Sequence, residues 1–128
     1  MFKLSTRSKQ RREGVDPRLI EISDLAIKLT AIDFGHPEYA GLRDNRDQRY
    51  LYDTGKSQCD GRLRKSCHQT GKALDFYAYV DGKASWKKEH LAQVACAFLQ
   101  AACILGYKLQ WGGLWSSFQD FPHVQLVD

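Results

Sequence analysis

The segment 73–80 constrains the fold of this chain more than any other, because its residues alternate like those of a half-buried β-strand. It is also rich in aromatic residues, which strands favour. Alternation gives such a strand one uniformly apolar face, formed by Leu74, Phe76, Ala78 and Val80. The pattern therefore predicts a strand whose apolar face lies on a hydrophobic core and whose other face is free to line a cleft.

Asp75 lies on that second face of the predicted strand. His68 precedes it by seven residues, and Gly71 between them permits a sharp turn that could bring the histidine back over the strand. A second predicted strand, 123–127, begins with His123. Two imidazoles and one carboxylate, with a fourth position left open, are a sufficient ligand set for hydrolytic zinc. We therefore expect Zn2+ to be bound by His68, Asp75 and His123.

Asp120 precedes His123 by three residues, in the loop that enters the second predicted strand. Pro122 favours an extended backbone at Phe121, which continues into that strand. The carboxylate of Asp120 would then lie close enough to the metal to accept a proton from water without being a ligand. This placement predicts Asp120 as the general base of a metallopeptidase.

The residues of these two motifs resemble those of a known family. Residues 66–75 read S-x-H-x-x-G-x-A-x-D, which looks like the signature of the zinc D-Ala-D-Ala peptidases and their bacteriophage endolysin relatives. Residues 120–126 read D-x-x-H-x-Q-L and are similar to the family's C-terminal element, which carries its general base and third zinc ligand. Weaker similarities lie in segments 4–8, 14–17, 41–55 and 111–115. Within the family, the chain resembles phage endolysins of the L-alanyl-D-glutamate endopeptidase type.

The resemblance implies both a fold and a function. The expected fold is α+β, a single zinc peptidase domain over residues 1–128 with helices packed on a small antiparallel sheet, as in Hedgehog and DD-peptidase-like proteins. The expected activity is zinc-dependent cleavage of the L-Ala–D-Glu bond in the peptidoglycan stem peptide during host lysis. A D-Ala-D-Ala carboxypeptidase or dipeptidase of the same family is one alternative, and a non-catalytic zinc-bound wall-binding domain is another.

Three more residues are candidates for supporting roles in the site. Arg43 fits the family's Gly-x-Arg pattern and could stabilise an oxyanion or hold a substrate carboxylate, but a structural salt bridge to Asp44 or Asp47 would explain it equally well. Gln48 could order the same pocket, or it could lie on a helix surface. Ser66 could support the site by hydrogen bonding to the substrate or to the predicted zinc-binding carboxylate.

One position departs from the family pattern. Many relatives carry an acidic residue between Gly113 and Trp115, where this chain has Leu114. Loss of an acid that only orients an outer-shell group would cost a modest factor, about 10–100-fold. Loss of a substrate contact would instead alter the cleavage specificity. Because the predicted zinc ligands and Asp120 are all retained, the departure does not indicate an inactive protein.

Capping residues and apolar spacing predict the helices. Asp16 and Pro17 form a helix start, with an acidic N-cap and proline at the first helical position. A second helix is predicted from Asp44 to about Asp53, and a third from about Ser85 to Gly106. The helices are expected to pack on one sheet, formed by the strands 73–80, 107–111 and 123–127.

The cysteines and the two other histidines are not expected to take part in catalysis or metal binding. Cys96 and Cys103 are seven residues apart in a helical pattern, so both could lie on its buried side. All four cysteines are predicted to be reduced and structural. His36 and His90 match no motif and are predicted to be surface or loop histidines.

Charge and hydropathy indicate in which cellular compartment the protein is found and which classes of partner it binds. No apolar run is long enough for a transmembrane helix, and no apolar signal-peptide core follows the basic N-terminus. We therefore expect a monomer in the host cytoplasm without stable membrane insertion, and the family resemblance implies holin-dependent release to the periplasm and cell wall. No nucleic-acid motif is present, so no nucleic-acid partner is expected. Attraction to anionic envelope polymers could instead explain the basic residues of segment 3–12 and Arg62, Arg64 and Lys65.

Overall fold

The computed structural model describes residues 1–62 and 65–128 of the chain. Helices α1 to α4 span Thr6–Arg11, Pro17–Leu29, Asn45–Asp53 and Lys88–Leu105. Strands β1 to β6 span Asp33–Gly35, Ala73–Asp75, Tyr77–Val80, Lys83–Ser85, Leu109–Trp111 and His123–Leu126. Short turns of 3-10 helix lie at Cys67–Thr70 and Gly112–Leu114. Arg64, part of the predicted basic group, lies outside the described residues.

Capping groups explain where the helices begin and end. Asp16 accepts a hydrogen bond from the backbone N–H of Arg18 at 2.9 Å, and Asp44 accepts one from Asp47 at 2.7 Å. These bonds satisfy donors that the first turn of a helix leaves unpaired. Gly106 ends α4 with a φ of 80°, a left-handed conformation that glycine adopts without strain. The two predicted helix starts and this helix end are confirmed.

The segment 73–80 forms two strands rather than one, so the prediction of a single sheet is wrong. β6 pairs with β2 and β5, whereas β3 pairs with β1 and β4, which gives two three-stranded antiparallel sheets. The chain passes between the sheets at Phe76, whose N–H donates to the carbonyl oxygen of Pro122 at 2.8 Å. Alternation continues through this junction and therefore does not reveal it. Since Ser85 belongs to β4, α4 begins only at Lys88.

One hydrophobic cluster joins both sheets to α2 and α4. Leu74 and Phe76, from the predicted apolar face, are fully buried in it. Phe76 stacks on Phe98 of α4 with ring centroids 5.1 Å apart. Burial of each such side chain contributes about 1.5–3 kcal/mol to folding. Both sequence neighbours of Asp75 are therefore anchored in the core, and this fixes the backbone from which its carboxylate projects.

The cysteines of α4 lie on its outer face. Cys96 and Cys103 are exposed, so the prediction that they are buried is wrong. The buried positions of this helix, such as Leu91, Ala95 and Phe98, lie on another face. All four cysteines are free thiols, as predicted. Among the described residues, no helix has the length and apolar character needed to cross a membrane.

Candidate metal centre and active site

Three side chains meet in a cleft of about 540 Å³. His68 Nε2 lies 3.2 Å from both His123 Nδ1 and Asp75 Oδ1, and His123 Nδ1 lies 3.1 Å from the same carboxylate oxygen. Both histidines are buried, and the side chain of Asp75 is 17% exposed. The three atoms form a nearly equilateral triangle that could hold a metal ion. The structure thus brings together the three residues that the sequence predicted as ligands.

The pairing of β2 with β6 places two corners of this triangle. Asp75 and His123 are direct partners in the antiparallel ladder. Directly opposed residues project to the same face of a sheet, with Cβ atoms about 4.5–5.5 Å apart. The register of the two strands therefore brings carboxylate and imidazole together without any contribution from a loop.

A short helical turn places the third corner. Ser66 Oγ accepts a hydrogen bond from the N–H of His68 at 3.2 Å, and Gln69 Oε1 accepts one from the N–H of Ser66 at 2.8 Å. Ser66 Oγ also accepts from the backbone N–H of Gln69, which completes a capping box between Ser66 and Gln69. Gly71 ends the turn in the left-handed region, with a φ of 72°. Ser66 thus supports His68 through the backbone, a contact different from the predicted bond to substrate or carboxylate.

The ring nitrogens that point away from the triangle are also paired. His68 Nδ1 donates to the carbonyl oxygen of Gly41 at 3.0 Å. Because a carbonyl oxygen can only accept, the proton lies on Nδ1 and the lone pair of Nε2 is available to a metal. His123 Nε2 lies 2.8 Å from Gln125 Oε1, which leaves its Nδ1 available in the same way. Such contacts orient ligands and fix their tautomers.

The charge distribution favours an ionised carboxylate at the centre. Burial alone would raise the pKa of Asp75, but the neighbouring imidazoles of His68 and then His123 hold that pKa well below its usual range. Burial alone would lower the pKa of His123, yet Asp75 raises it. Asp75 is therefore a negative charge that is available to a cation at neutral pH.

Asp120 lies beside the triangle. Its Oδ2 is 3.7 Å from His123 Nδ1, and its side chain is 47% exposed. Burial, and then the negative charge of Asp75, raise the pKa of the Asp120 carboxyl. Its N–H donates to the carbonyl oxygen of Gly112 at 3.1 Å, and a Cβ at Gly112 would overlap the carbonyl oxygen of Asp120. A carboxyl with a raised pKa is suited to accept and return a proton.

Arg43 forms an ion pair with Asp75. The predicted alternative, a structural salt bridge to Asp44 or Asp47, is therefore wrong about the partner residue. Arg43 Nη2 donates to Asp75 Oδ2 at 3.1 Å, on the carboxylate oxygen that faces away from the histidines. Its Nε donates to the carbonyl oxygen of Tyr39 at 2.9 Å. The guanidinium, whose side chain is 10% exposed, therefore orients the carboxylate from behind while lining the cleft.

Gln48 is fully buried, so a helix-surface position is excluded. Its Oε1 accepts from Arg43 Nη1 at 3.1 Å. Its Nε2 donates to Ser57 Oγ at 2.8 Å and to the carbonyl oxygen of Cys59 at 2.7 Å. The amide thereby ties Arg43 to the loop 57–59, which forms part of the cleft wall.

The position that departs from the family pattern lies outside the cleft wall. Leu114 is 73% exposed, and it does not line the cleft. The next residue, Trp115, does line it and packs on His123 with ring centroids 5.3 Å apart. The local environment of the triangle is therefore set by Trp115 rather than by residue 114.

Residues 1–127 match the sequence model of a protein family described as phage L-alanyl-D-glutamate peptidase. The chain belongs to this family. A relative, the L-alanyl-D-glutamate peptidase of Escherichia phage T5, is 32% identical in an alignment of 138 positions that covers 98% of each chain. The peptidoglycan L-alanyl-D-glutamate endopeptidase CwlK of Bacillus subtilis (strain 168) is 29% identical, over 68% of this chain and 58% of that protein. Among solved structures, the Serratia marcescens L-Ala D-Glu endopeptidase ChiX has a TM-score of 0.84 and 35% identity, over 98% of this chain and 90% of that one.

The predicted family and the predicted α+β fold class are therefore confirmed. The structure adds the partners of each side chain, which the motifs do not contain. These partners include the contacts of Arg43 with Asp75 and Gln48, and the contact of Gln125 with His123.

One further residue, not predicted from the sequence, contacts the backbone of the candidate metal centre. His36 is fully buried rather than at the surface, and its Nδ1 lies 2.7 Å from the carbonyl oxygen of Asp75. Burial lowers its pKa to about 4, so the ring is neutral at neutral pH. The available signal was strand alternation, which places His36 on the same face as the apolar Phe34. His90, by contrast, is partly exposed and bonds Ser85 Oγ at 2.6 Å.

Proposed function

We propose that this protein is a zinc-dependent endopeptidase that hydrolyses the L-Ala–D-Glu bond of the peptidoglycan stem peptide during host lysis. The observation that carries the proposal is the triangle of His68, Asp75 and His123 with Asp120 beside it in one cleft. Membership of the phage L-alanyl-D-glutamate peptidase family supports the choice of bond, and so do the names of the relatives in phage T5 and Serratia marcescens.

The dimensions of the triangle support zinc as the metal. Metal–ligand bonds of about 2.0–2.2 Å at tetrahedral angles separate neighbouring ligand atoms by roughly 3.3–3.6 Å. The separations in the protein are 3.1 to 3.2 Å, so a tetrahedral ion fits after a small outward movement. Nitrogen and carboxylate oxygen are both donors that zinc accepts, and each of the three ligands has an outer partner. His68, Asp75 and His123 would hold the ion and leave its fourth position open.

Each remaining residue has a role that follows from its contacts. Bound zinc would supply the Lewis acidity that activates water and polarises the scissile carbonyl. Asp120, with its raised pKa, accepts the proton of the attacking water and returns it to the leaving amine. Arg43 holds Asp75 in one orientation, and its positive charge beside the cleft favours the negative charge that develops on the substrate oxygen. Gln48 and Ser66 hold Arg43 and His68 in place.

We also propose that residues 1–128 act as a single zinc peptidase domain and as a monomer. The stem peptide of peptidoglycan is the proposed substrate, with neither nucleic acid nor stable membrane insertion involved. We further propose that the protein is made in the host cytoplasm and reaches the periplasm and cell wall by holin-dependent release. Its similarity to phage peptidases supports this proposal. Light scattering on the purified protein gives its molar mass in solution and so tests the proposed monomeric state.

Mass spectrometry of products from purified muropeptides tests the activity. We expect a fragment that begins with D-Glu, and we expect chelation to abolish its formation reversibly. Asp120→Asn should lower turnover by about 10²–10⁴-fold, because the amide cannot accept a proton, while zinc content stays at the wild-type level. Release of free D-Ala would instead support the D-Ala-D-Ala carboxypeptidase. Zinc binding without any turnover would support a wall-binding domain.

A further inference from the structure

His36 is a buried polar residue that the proposed mechanism does not use. Its ring is fully buried and packs edge-on against Phe34 and Phe98, with centroids 5.9 and 6.3 Å away. A polar ring in such apolar surroundings is costly unless its nitrogen atoms are hydrogen-bonded. Both nitrogens are bonded, one to Ser23 of α2 and one to the backbone of Asp75.

The two bonds define the tautomer of the ring. The carbonyl oxygen of Asp75, 2.7 Å from Nδ1, can only accept, so Nδ1 carries the proton. Nε2 is then an acceptor, and the hydroxyl of Ser23 donates to it over 2.8 Å. Ser23 is itself fully buried on α2. A directed chain of hydrogen bonds therefore runs from α2 through His36 to the peptide group of Asp75.

That peptide group lies where the chain leaves one sheet for the other. Asp75 is the last residue of β2, and the next residue, Phe76, directs its N–H to Pro122. The N–H of Asp75 donates to the carbonyl oxygen of Ala40 at 2.9 Å, so the backbone of Asp75 is held on both sides. A rotation of the peptide plane here would redirect the Cα–Cβ bond and move the carboxylate away from the two histidines.

We propose that His36, oriented by Ser23, is a positioning residue that fixes the peptide group of Asp75 and thereby holds its carboxylate in metal-binding geometry. The inference rests on the metal centre of the proposed function, but it concerns metal affinity and not the bond that is cleaved. His36 touches neither metal nor substrate, so its effect passes through Asp75 alone.

Two substitutions separate the roles of the two ring nitrogens. His36→Asn keeps a donor at the position of Nδ1, within reach of the Asp75 carbonyl, and gives up the contact with Ser23. His36→Gln extends its amide to the position of Nε2 and leaves the carbonyl without its donor. We expect zinc to bind His36→Asn within about threefold of wild type and His36→Gln about 10–100-fold more weakly, as for other outer-shell changes. Competition with a chromophoric zinc chelator measures both affinities.

Ser8→Ala is the matched control. Ser8 is also buried, and its Oγ accepts from the backbone N–H of His36 at 3.0 Å, outside the chain from Ser23 to Asp75. We expect this variant to lower the melting temperature and to leave zinc affinity unchanged. Wild-type zinc affinity in His36→Gln, or an equal loss in Ser8→Ala, would overturn the proposal and leave His36 a purely structural role.

A measurement on the wild type keeps the proposal testable even if neither His36 variant folds. Imidazole ¹⁵N chemical shifts report which ring nitrogen carries the proton, and we expect it on Nδ1 of His36. A proton on Nε2 would overturn the proposal. A protein that binds zinc as expected but does not cleave muropeptides would contradict the proposed function alone. A wild type that binds no zinc would overturn both.

Discussion

Replacement of Gly112 by alanine should impair catalysis by moving Asp120. An added Cβ would overlap the carbonyl oxygen of Asp120 and would lie 3.0 Å from its Cβ and 3.1 Å from its carbonyl carbon. Since carbon atoms pack at about 3.5–4.0 Å, the loop that carries Asp120 would have to shift by roughly 0.5–1 Å. A misplacement of about 1 Å can cost about 10²-fold in rate. We therefore expect Gly112→Ala to lower turnover by about 10–100-fold.

Turnover on purified muropeptides and zinc content together test this reasoning. The zinc content of Gly112→Ala should equal that of wild type, because the three atoms nearest to the added Cβ all belong to Asp120 and none to a proposed ligand. In an Asp120→Asn background the same substitution should cost little further, since both changes act through one carboxylate. Gly82→Ala is the control, because its Cβ would meet nothing within 4 Å although its φ is 76°. Full activity of Gly112→Ala, or additive losses in the double variant, would refute the argument.

The remaining predictions concern the ligands, Arg43 and a surface ion cluster. His123→Ala should lose zinc and activity together, and stoichiometric zinc by elemental analysis would contradict the ligand set. Arg43→Lys keeps the charge but loses the planar fork that bonds three partners, so turnover of the folded fraction should fall at least about tenfold; unchanged turnover would assign Arg43 to stability alone. Hydrogen bonds from Arg18 and then Lys72 hold the pKa of Asp16 well below its usual range. The resulting stability is present above about pH 4 and is lost as the pH falls below that value. Asp16→Asn should therefore lower the melting temperature at pH 7, by an amount that shrinks in acid; a pH-independent difference would contradict this.

The three residues that meet in the cleft could be singled out from the sequence because the motifs that contain them are local. His68 and Asp75 are joined by one turn and one short strand, and glycine at position 71 marks that turn. His123 starts a strand with a clear apolar alternation. Patterns of this kind involve only residues that are close in the sequence, so they can be recognised without knowledge of the tertiary structure.

The features that escaped prediction all depend on contacts between distant parts of the chain. The change of sheet at Phe76 leaves no trace in the alternation, since the same face stays buried on both sides of the junction. His36 meets Asp75 across 39 residues of sequence, and Arg43 meets it across 32. Polar residues could be recognised as candidates, but the identity of their partners was set by packing that no local motif encodes.

The order of the strands has a consequence for the timing of activity during synthesis. β6 lies between β2 and β5 in its sheet, although it follows both in the chain. His123 is 48 residues beyond Asp75, a distance that a ribosome covers in roughly 2–10 s at about 5–20 residues per second. Until β6 has emerged, the nascent chain lacks one proposed metal ligand and the strand that joins its two neighbours. Under the proposed mechanism an incomplete chain is therefore inactive, and the hydrolase becomes active only after β6 has been translated.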